Sequence, residues 1–217
     1  MFEYVSKKEY EPVKREIERI IKEVQKKVRY VVDGRTFTFQ FELVGSGKQK
    51  LVTREVGGNK GFDLDYNLII NNNKHHWKAA RAKETLLKAF QEVLKDSKYK
   101  VENSTSVITI KRIDTENSKI IYSCDFAIMR NYKEKYYFIK KNSEAAYIWN
   151  EKNVEIVTEK SQWVMAYHWK EFKEEYLKLK NKQKDRNSFS LRLEAINNIC
   201  NNCGYGQKEV ENLCDNE

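Results

Sequence analysis

Apolar residues at Val13, Ile17, Ile20, Ile21, Val24 and Val28 recur at three- and four-residue spacing, which predicts one amphipathic helix from about Lys8 to Lys27. Its other face is rich in Lys and Glu and reads as solvated. Asp33-Gly34 is then a turn signal between two β-prone runs. From Thr36 to Leu43 the pattern becomes strict alternation, with Phe37, Phe39, Phe41 and Leu43 on the buried face of a strand. The strand delivers the chain to Gly45-Ser46-Gly47, where side chains give out and backbone is laid bare. Lys48 to Gly61 is polar, contains Gly57-Gly58 and reads as a mobile excursion. A second strand runs from Asp63 to Ile70 and is broken by Asn71-Asn72-Asn73.

The helical period returns from about Trp77 to Leu94, with Leu86, Leu87, Phe90, Val93 and Leu94 inward. Strands follow near Ser106–Ile113 and Lys119–Met129 around a turn at Asp114 to Ser118, and residues 135–139 and 145–149 read as a short hairpin or edge strands. From Ser161 the apolar positions Trp163, Tyr167, Phe172, Tyr176 and Leu179 are helical in spacing. Lys178 to Arg186 is a basic polar stretch, and Leu191 to Cys203 supplies a last short helix stopped by Gly204. The order helix, strands, helix, strands, helices predicts an α+β protein whose helices cover a mixed sheet. Residues 1–155 are expected to form the main core, with 156–217 a C-terminal helical part packed on it.

Composition narrows the classes. The chain has 217 residues, 40% of them hydrophobic, including ten Phe, thirteen Tyr and four Trp, enough for a sizeable core. No early segment joins basic residues to an apolar run, and no apolar stretch approaches the ~20 residues of a spanning helix, so a cytoplasmic protein with no membrane partner is expected. The net charge of +9 favours anionic partners, nucleotides or nucleic acid among them, although the lysines are spread along the chain rather than gathered in blocks. Cys124 lies in an apolar strand and reads as core. Cys200, Cys203 and Cys214 fall as C-x2-C-x10-C, one ligand short of a closed zinc site, and read as reduced thiols.

The candidate chemistry lies in the acids. Asp63 and Asp65 occupy positions i and i+2 of one strand and so point to the same face. Asp125 sits in the otherwise apolar run Ile120 to Ile128, where a carboxylate is expensive to bury unless paired or bound to a metal. Alternation puts it on a face with Ser123 and Ala127, while Tyr122, Cys124, Phe126 and Ile128 point into the core. Three carboxylates on adjacent strands could hold two Mg2+ (or Mn2+) ions about 3.5–4 Å apart, the arrangement that clamps attacking and leaving oxygens in phosphoryl transfer. Gly45-Ser46-Gly47 fits the same chemistry, because glycine lets backbone N–H groups approach phosphate oxygens. It is not a Walker loop, which needs G-x-x-x-x-G-K-[ST].

The sequence of strand, Gly-Ser, spacer, Asp-x-Asp strand and later strand Asp resembles the nucleotidyltransferase superfamily of DNA polymerase beta. The long N-terminal helix and the Lys119–Met129 strand make it most similar to the cyclic-GMP-AMP-synthase-like and oligoadenylate-synthase-like branch. The resemblance covers roughly residues 8–150. It implies a nucleotidyltransferase fold and transfer of a nucleoside monophosphate from an NTP to an acceptor hydroxyl, with release of pyrophosphate. It also implies that Gly45, Ser46 and Gly47 bind the triphosphate and that Asp63 and Asp65 hold both metals. Asp125 would bind the second metal and help to activate the acceptor, which the sequence leaves open among a nucleotide, RNA, a protein and a small molecule. The alternative is a catalytically silent protein of this fold that binds nucleotide or nucleic acid as a sensor or scaffold.

Further residues have two readings each. His75-His76 could neighbour phosphate but read as an exposed helix start, and Lys140 and Lys141 as a solvated loop. One of Lys111 and Arg112 is expected to face the cleft. Tyr147 and Trp149 could stack on a base, with core packing the expectation for Trp149.

Overall fold

The computed structural model describes residues 1–29, 36–71, 77–152 and 159–206. The Asp33-Gly34 turn, the His75-His76 pair and Cys214 lie outside them. Nine strands and six helices are formed by these residues: β1 Phe2–Tyr4, α1 Lys7–Val28, β2 Phe39–Val44, α2 Gly45–Lys48, β3 Thr53–Glu55, β4 Phe62–Ile70, α3 Ala79–Val93, β5 Tyr99–Asn103, β6 Val107–Asp114, β7 Lys119–Tyr132, β8 Lys135–Lys141, β9 Tyr147–Lys152, α4 Glu159–Tyr167, α5 Trp169–Lys182 and α6 Ser188–Asn202. The chain divides into two compact units, one of residues 4–154 and one of residues 1–3 with 155–217.

In the larger unit the main sheet runs β2-β4-β7-β6-β5, and the β8–β9 hairpin extends it from the far end of β7. β4 and β7 pair in parallel and their neighbours antiparallel, so the sheet is mixed as expected. α1 begins where Ser6 caps it, its hydroxyl accepting from Glu9 N while Glu9 reaches back to Ser6 N. Ile17, Ile21 and Val24 of α1 are fully buried, and Gln25 Nε2 donates to the Phe39 carbonyl at 2.8 Å. α3 lies on the same face of the sheet, where Phe90 stacks on Phe126 with ring centroids 4.5 Å apart. Leu64, Leu68, Cys124, Phe126 and Ile128 are buried on this face. The alternating residues Asp63, Asp65, Ser123 and Asp125 are thereby turned to the other face.

The structure adds a strand that the periodicity does not announce and corrects one expectation. Strand β5 carries only Tyr99 and Val101 as apolar residues and is not legible as a strand. It forms because β6 offers it an antiparallel edge. The spacer from Lys48 to Gly61 is not a loose excursion: Leu51 and Val52 are only 2% and 1% exposed, and Ile120 N donates to the Asn59 carbonyl at 2.9 Å. The seam ends at Gly61 (φ +57°), where a Cβ would lie 2.1 Å from the Ile121 carbonyl oxygen. Gly61→Ala is therefore expected to cost more than about 2 kcal/mol, read as a lowered midpoint in urea unfolding.

The smaller unit is helical. Phe172, Tyr176 and Leu179 of α5 pack with Leu191, Ala195, Ile196 and Ile199 of α6, and Phe2 N donates to Asn181 Oδ1 at 2.5 Å. α6 is capped by Asn187, whose side chain accepts from Phe189 N at 2.8 Å. The helical run expected from Ser161 is broken at His168, and Tyr167, expected inward, is 72% exposed. Cys200 is buried and Cys203 exposed, both as free thiols. Among the described residues no helix is long and apolar enough to cross a membrane.

Candidate active site

The parallel pairing of β4 with β7 sets the acids in register: Asp63 stands opposite Ser123, and Asp65 opposite Asp125. β6 brings Thr109 opposite Asp125 from the other side. Two hydroxyls then hold the outer carboxylates. Thr109 Oγ1 donates to Asp125 Oδ1 at 2.6 Å, and Ser123 Oγ donates to Asp63 Oδ1. Asp65 lies between them. Burial, with the charges of Asp125 and Asp63 adding to it, pushes its carboxyl up to about 6. Burial also raises Asp125, helped by Asp63 and opposed by the Thr109 hydroxyl and the charges of Lys111 and Lys83.

The glycine-bearing stretch is not a bare turn but a single helical turn that begins where β2 stops. Val44 stands opposite Asp65 in the β2–β4 register, so Gly45 is delivered directly to that carboxylate. Gly45 has φ +59°, and a Cβ there would lie 2.5 Å from Asp65 Oδ2. Gly47 is buried against Leu43 and Leu64, which fixes the turn to the sheet. The backbone of the turn therefore lies within a van der Waals contact of the central acid, with the Ser46 side chain half-buried beside it.

Among the described residues no three acidic, His or Cys side chains are drawn into one ready-made ion cage. Asp63 and Asp125 are instead turned onto the hydroxyls of Ser123 and Thr109. The donor set still fits a hard divalent cation: it is all carboxylate oxygen, it comes from two adjacent strands, and its members repel one another as the raised Asp65 shows.

Strand register also decides between the basic residues. Lys111 shares the face of Thr109 and Asp125 and is paired with Glu102 at 2.5 Å. Arg112 points the other way, its guanidinium 5.8 Å from the centre of the Tyr99 ring. Lys140 and Lys141, expected in a loop, belong to strand β8. Trp149 is packed against the core, its Nε1 donating to the Trp77 carbonyl at 2.9 Å and its ring under Arg130. One buried group escaped sequence reasoning: Lys83, in the first half of α3, is 1% exposed.

No protein-family profile matches the chain, and no curated protein does. Solved structures do. One is the Vibrio cholerae DncV cyclic AMP-GMP synthase in complex with the linear intermediate 5′ pppA(3′,5′)pG, at 12% identity and a TM-score of 0.62, covering 89% of this chain and 68% of that one. The chain has the nucleotidyltransferase fold. Two further structures share that fold: Vibrio cholerae DncV in its 3′-deoxy ATP-bound form, with 16% identity, a TM-score of 0.55 and coverage of 74% and 45%, and Escherichia coli DncV in its 3′-deoxy GTP-bound form, with 14% identity, a TM-score of 0.54 and coverage of 84% and 51%. The chain thus spans between 45% and 68% of the length of these nucleotidyltransferase-fold neighbours.

Proposed function

We propose that this chain is a metal-dependent nucleotidyltransferase, moving a nucleoside monophosphate from an NTP to an acceptor hydroxyl. The observation that carries this reading is the register of Asp65 against Asp125 with the Gly45 backbone pressed on Asp65. The acceptor oxygen forms a bond to the α-phosphorus, the bond from that phosphorus to the bridging oxygen of the β-phosphate breaks, and pyrophosphate leaves. A divalent cation, Mg2+ or Mn2+, held by Asp63, Asp65 and Asp125 would neutralise charge on the phosphoryl oxygens and on the leaving group. Gly45, Ser46 and Gly47 cradle the triphosphate by their backbone N–H groups and the Ser46 hydroxyl. Thr109 holds Oδ1 of Asp125, which orients the remaining oxygen toward the incoming hydroxyl and its proton. The bound ligands named for the DncV structures, 3′-deoxy ATP, 3′-deoxy GTP and a linear dinucleotide, support an NTP as donor. We place this chemistry in residues 1–155 and the protein in the cytoplasm, where NTPs are held.

A second reading, a catalytically silent protein that binds nucleotide, draws support from the satisfaction of Asp63 and Asp125 by hydroxyls. Incubation with each labelled NTP and Mg2+ or Mn2+ separates the two. The transferase releases pyrophosphate and gives a labelled product. A protein that binds an NTP yet releases no pyrophosphate with any of the four fits only the silent reading.

A further inference from the structure

Each outer acid of the site has a hydroxyl donor directly across the sheet from it. Ser123 stands opposite Asp63 in the parallel β4–β7 register, and its Oγ donates to Asp63 Oδ1. Thr109 stands opposite Asp125 in the antiparallel β6–β7 register, and its Oγ1 donates to Asp125 Oδ1 at 2.6 Å. Both contacts are therefore set by strand pairing and not by a loop. Ser123 is only 8% exposed and Thr109 is half-buried, so both side chains have packed surroundings that hold them in place.

The consequence is a limit on how each carboxylate can bind a cation. With Oδ1 accepting from a hydroxyl, Asp63 and Asp125 each keep one oxygen, Oδ2, without a strand-borne donor. The central acid is restrained from a third direction. The Gly45 backbone crowds Oδ2 of Asp65, where an added Cβ would lie 2.5 Å away. Three acids thus offer single oxygens rather than three chelating pairs. Mg2+ is served by that pattern: it takes oxygens singly at about 2.0–2.1 Å in a strict octahedron and completes its shell with water and phosphate oxygens. Ca2+ is not, since it gathers roughly 6–8 oxygens at about 2.3–2.6 Å and draws on bidentate carboxylates to reach that number.

We propose that Ser123 and Thr109 determine the cation specificity of the site: by engaging one oxygen of Asp63 and one of Asp125 they prevent bidentate binding and select Mg2+ over Ca2+. They act through the acids and are positioning residues. The role rests on Asp63, Asp65 and Asp125 binding a divalent cation, the reading proposed for this site. It adds what discriminates between hard cations of equal charge, which the acids alone do not.

Titration of the nucleotide-free protein with MgCl2 and with CaCl2, followed by calorimetry and by the melting temperature, tests the selectivity without reference to activity. The wild type is expected to respond to Mg2+ at lower concentration than to Ca2+, and Asp65→Asn to lose both responses. Ser123→Ala releases Asp63 Oδ1 and is expected to shift the ratio of the two affinities toward Ca2+ at least fivefold. Thr109→Val, which keeps the shape and removes the donor, is expected to shift it in the same direction. Thr109→Ser keeps a hydroxyl and is expected to keep the wild-type ratio. Hydroxyls that serve the fold alone would lower the metal-free melting temperature of Ser123→Ala and Thr109→Val and leave the ratio where it was. A ratio unchanged in both variants, or a wild type that already prefers Ca2+, overturns the proposal and leaves the metal site standing. No response to either cation in the wild type, or a response that survives in Asp65→Asn, removes the metal site itself and the metal-dependent reading with it.

Discussion

Asp65→Asn is expected to abolish nucleotidyl transfer and, in metal-free buffer at pH 8, to make the protein more stable than the wild type. Both effects come from one feature, a carboxylate held by burial between two others. In the folded chain the Asp65 carboxyl is raised to about 6 from the ordinary 3.8, so the fold favours its protonated form. That contribution is fully present below pH 3.8 and is lost as the pH rises through about 6. The difference amounts to roughly 3 kcal/mol at most. Asparagine keeps the shape without the charge and should regain about 1–3 kcal/mol at pH 8, with the gain vanishing below pH 4. Urea unfolding of wild type and variant at pH 4, 6 and 8 in EDTA reads this directly. Equal midpoints at pH 8 would sink the electrostatic account. Transfer should drop by about three orders of magnitude or more, because in the proposed function Asp65 is the central ligand of the cation. Full turnover by the variant with Mg2+ would remove Asp65 from the chemistry.

The second large effect is expected at Gly45. Its backbone, at φ +59°, costs an L residue about 1 kcal/mol. The steric conflict is worse, since a Cβ would sit 2.5 Å from Asp65 Oδ2 and either the acid or the turn must move. Gly45 is itself exposed, so the core is not disturbed. Gly45→Ala should therefore unfold roughly 1–3 kcal/mol more easily and transfer at least 100-fold more slowly, since displacing reacting groups by about 1 Å can cost that factor. Urea unfolding beside steady-state kinetics measures both. A stability loss without a rate loss would mean that the turn does not position the triphosphate against Asp65.

Both predictions use residues that the sequence marks, and the reason is local. Alternation alone places Asp63 and Asp65 on one face, and Tyr122, Cys124, Phe126 and Ile128 on the other, because a strand has a fixed period of two. The helix of Val13 to Val28 is as plain, since its stripe has a fixed period as well. What depends on a partner across space is lost. β5 becomes a strand only against β6, with two apolar residues too few to announce it. Leu51 and Val52 look like part of a polar loop, yet Leu51 N bonds back to the Ser46 carbonyl and the Val52 carbonyl accepts from Val5 N, and both side chains are buried. Tyr167 has helical spacing but stays 72% exposed.

Lys83 shows the limit most clearly. On an amphipathic helix a lysine reads as solvated, and nothing in its neighbours in sequence says that Tyr147 and Lys141 will close over it. The sequence by itself determined helix α1, the acid-bearing strands β4 and β7 and the shared face of the acids, because each follows from the period of one segment. Only the tertiary structure decided that Asp65 stands opposite Asp125, that Thr109 and Ser123 hold the outer carboxylates, and that the ammonium groups of Lys83 and Lys141 share the Tyr147 ring. Register, burial and the meeting of like charges are set by packing between segments far apart in the chain, and no local pattern encodes them.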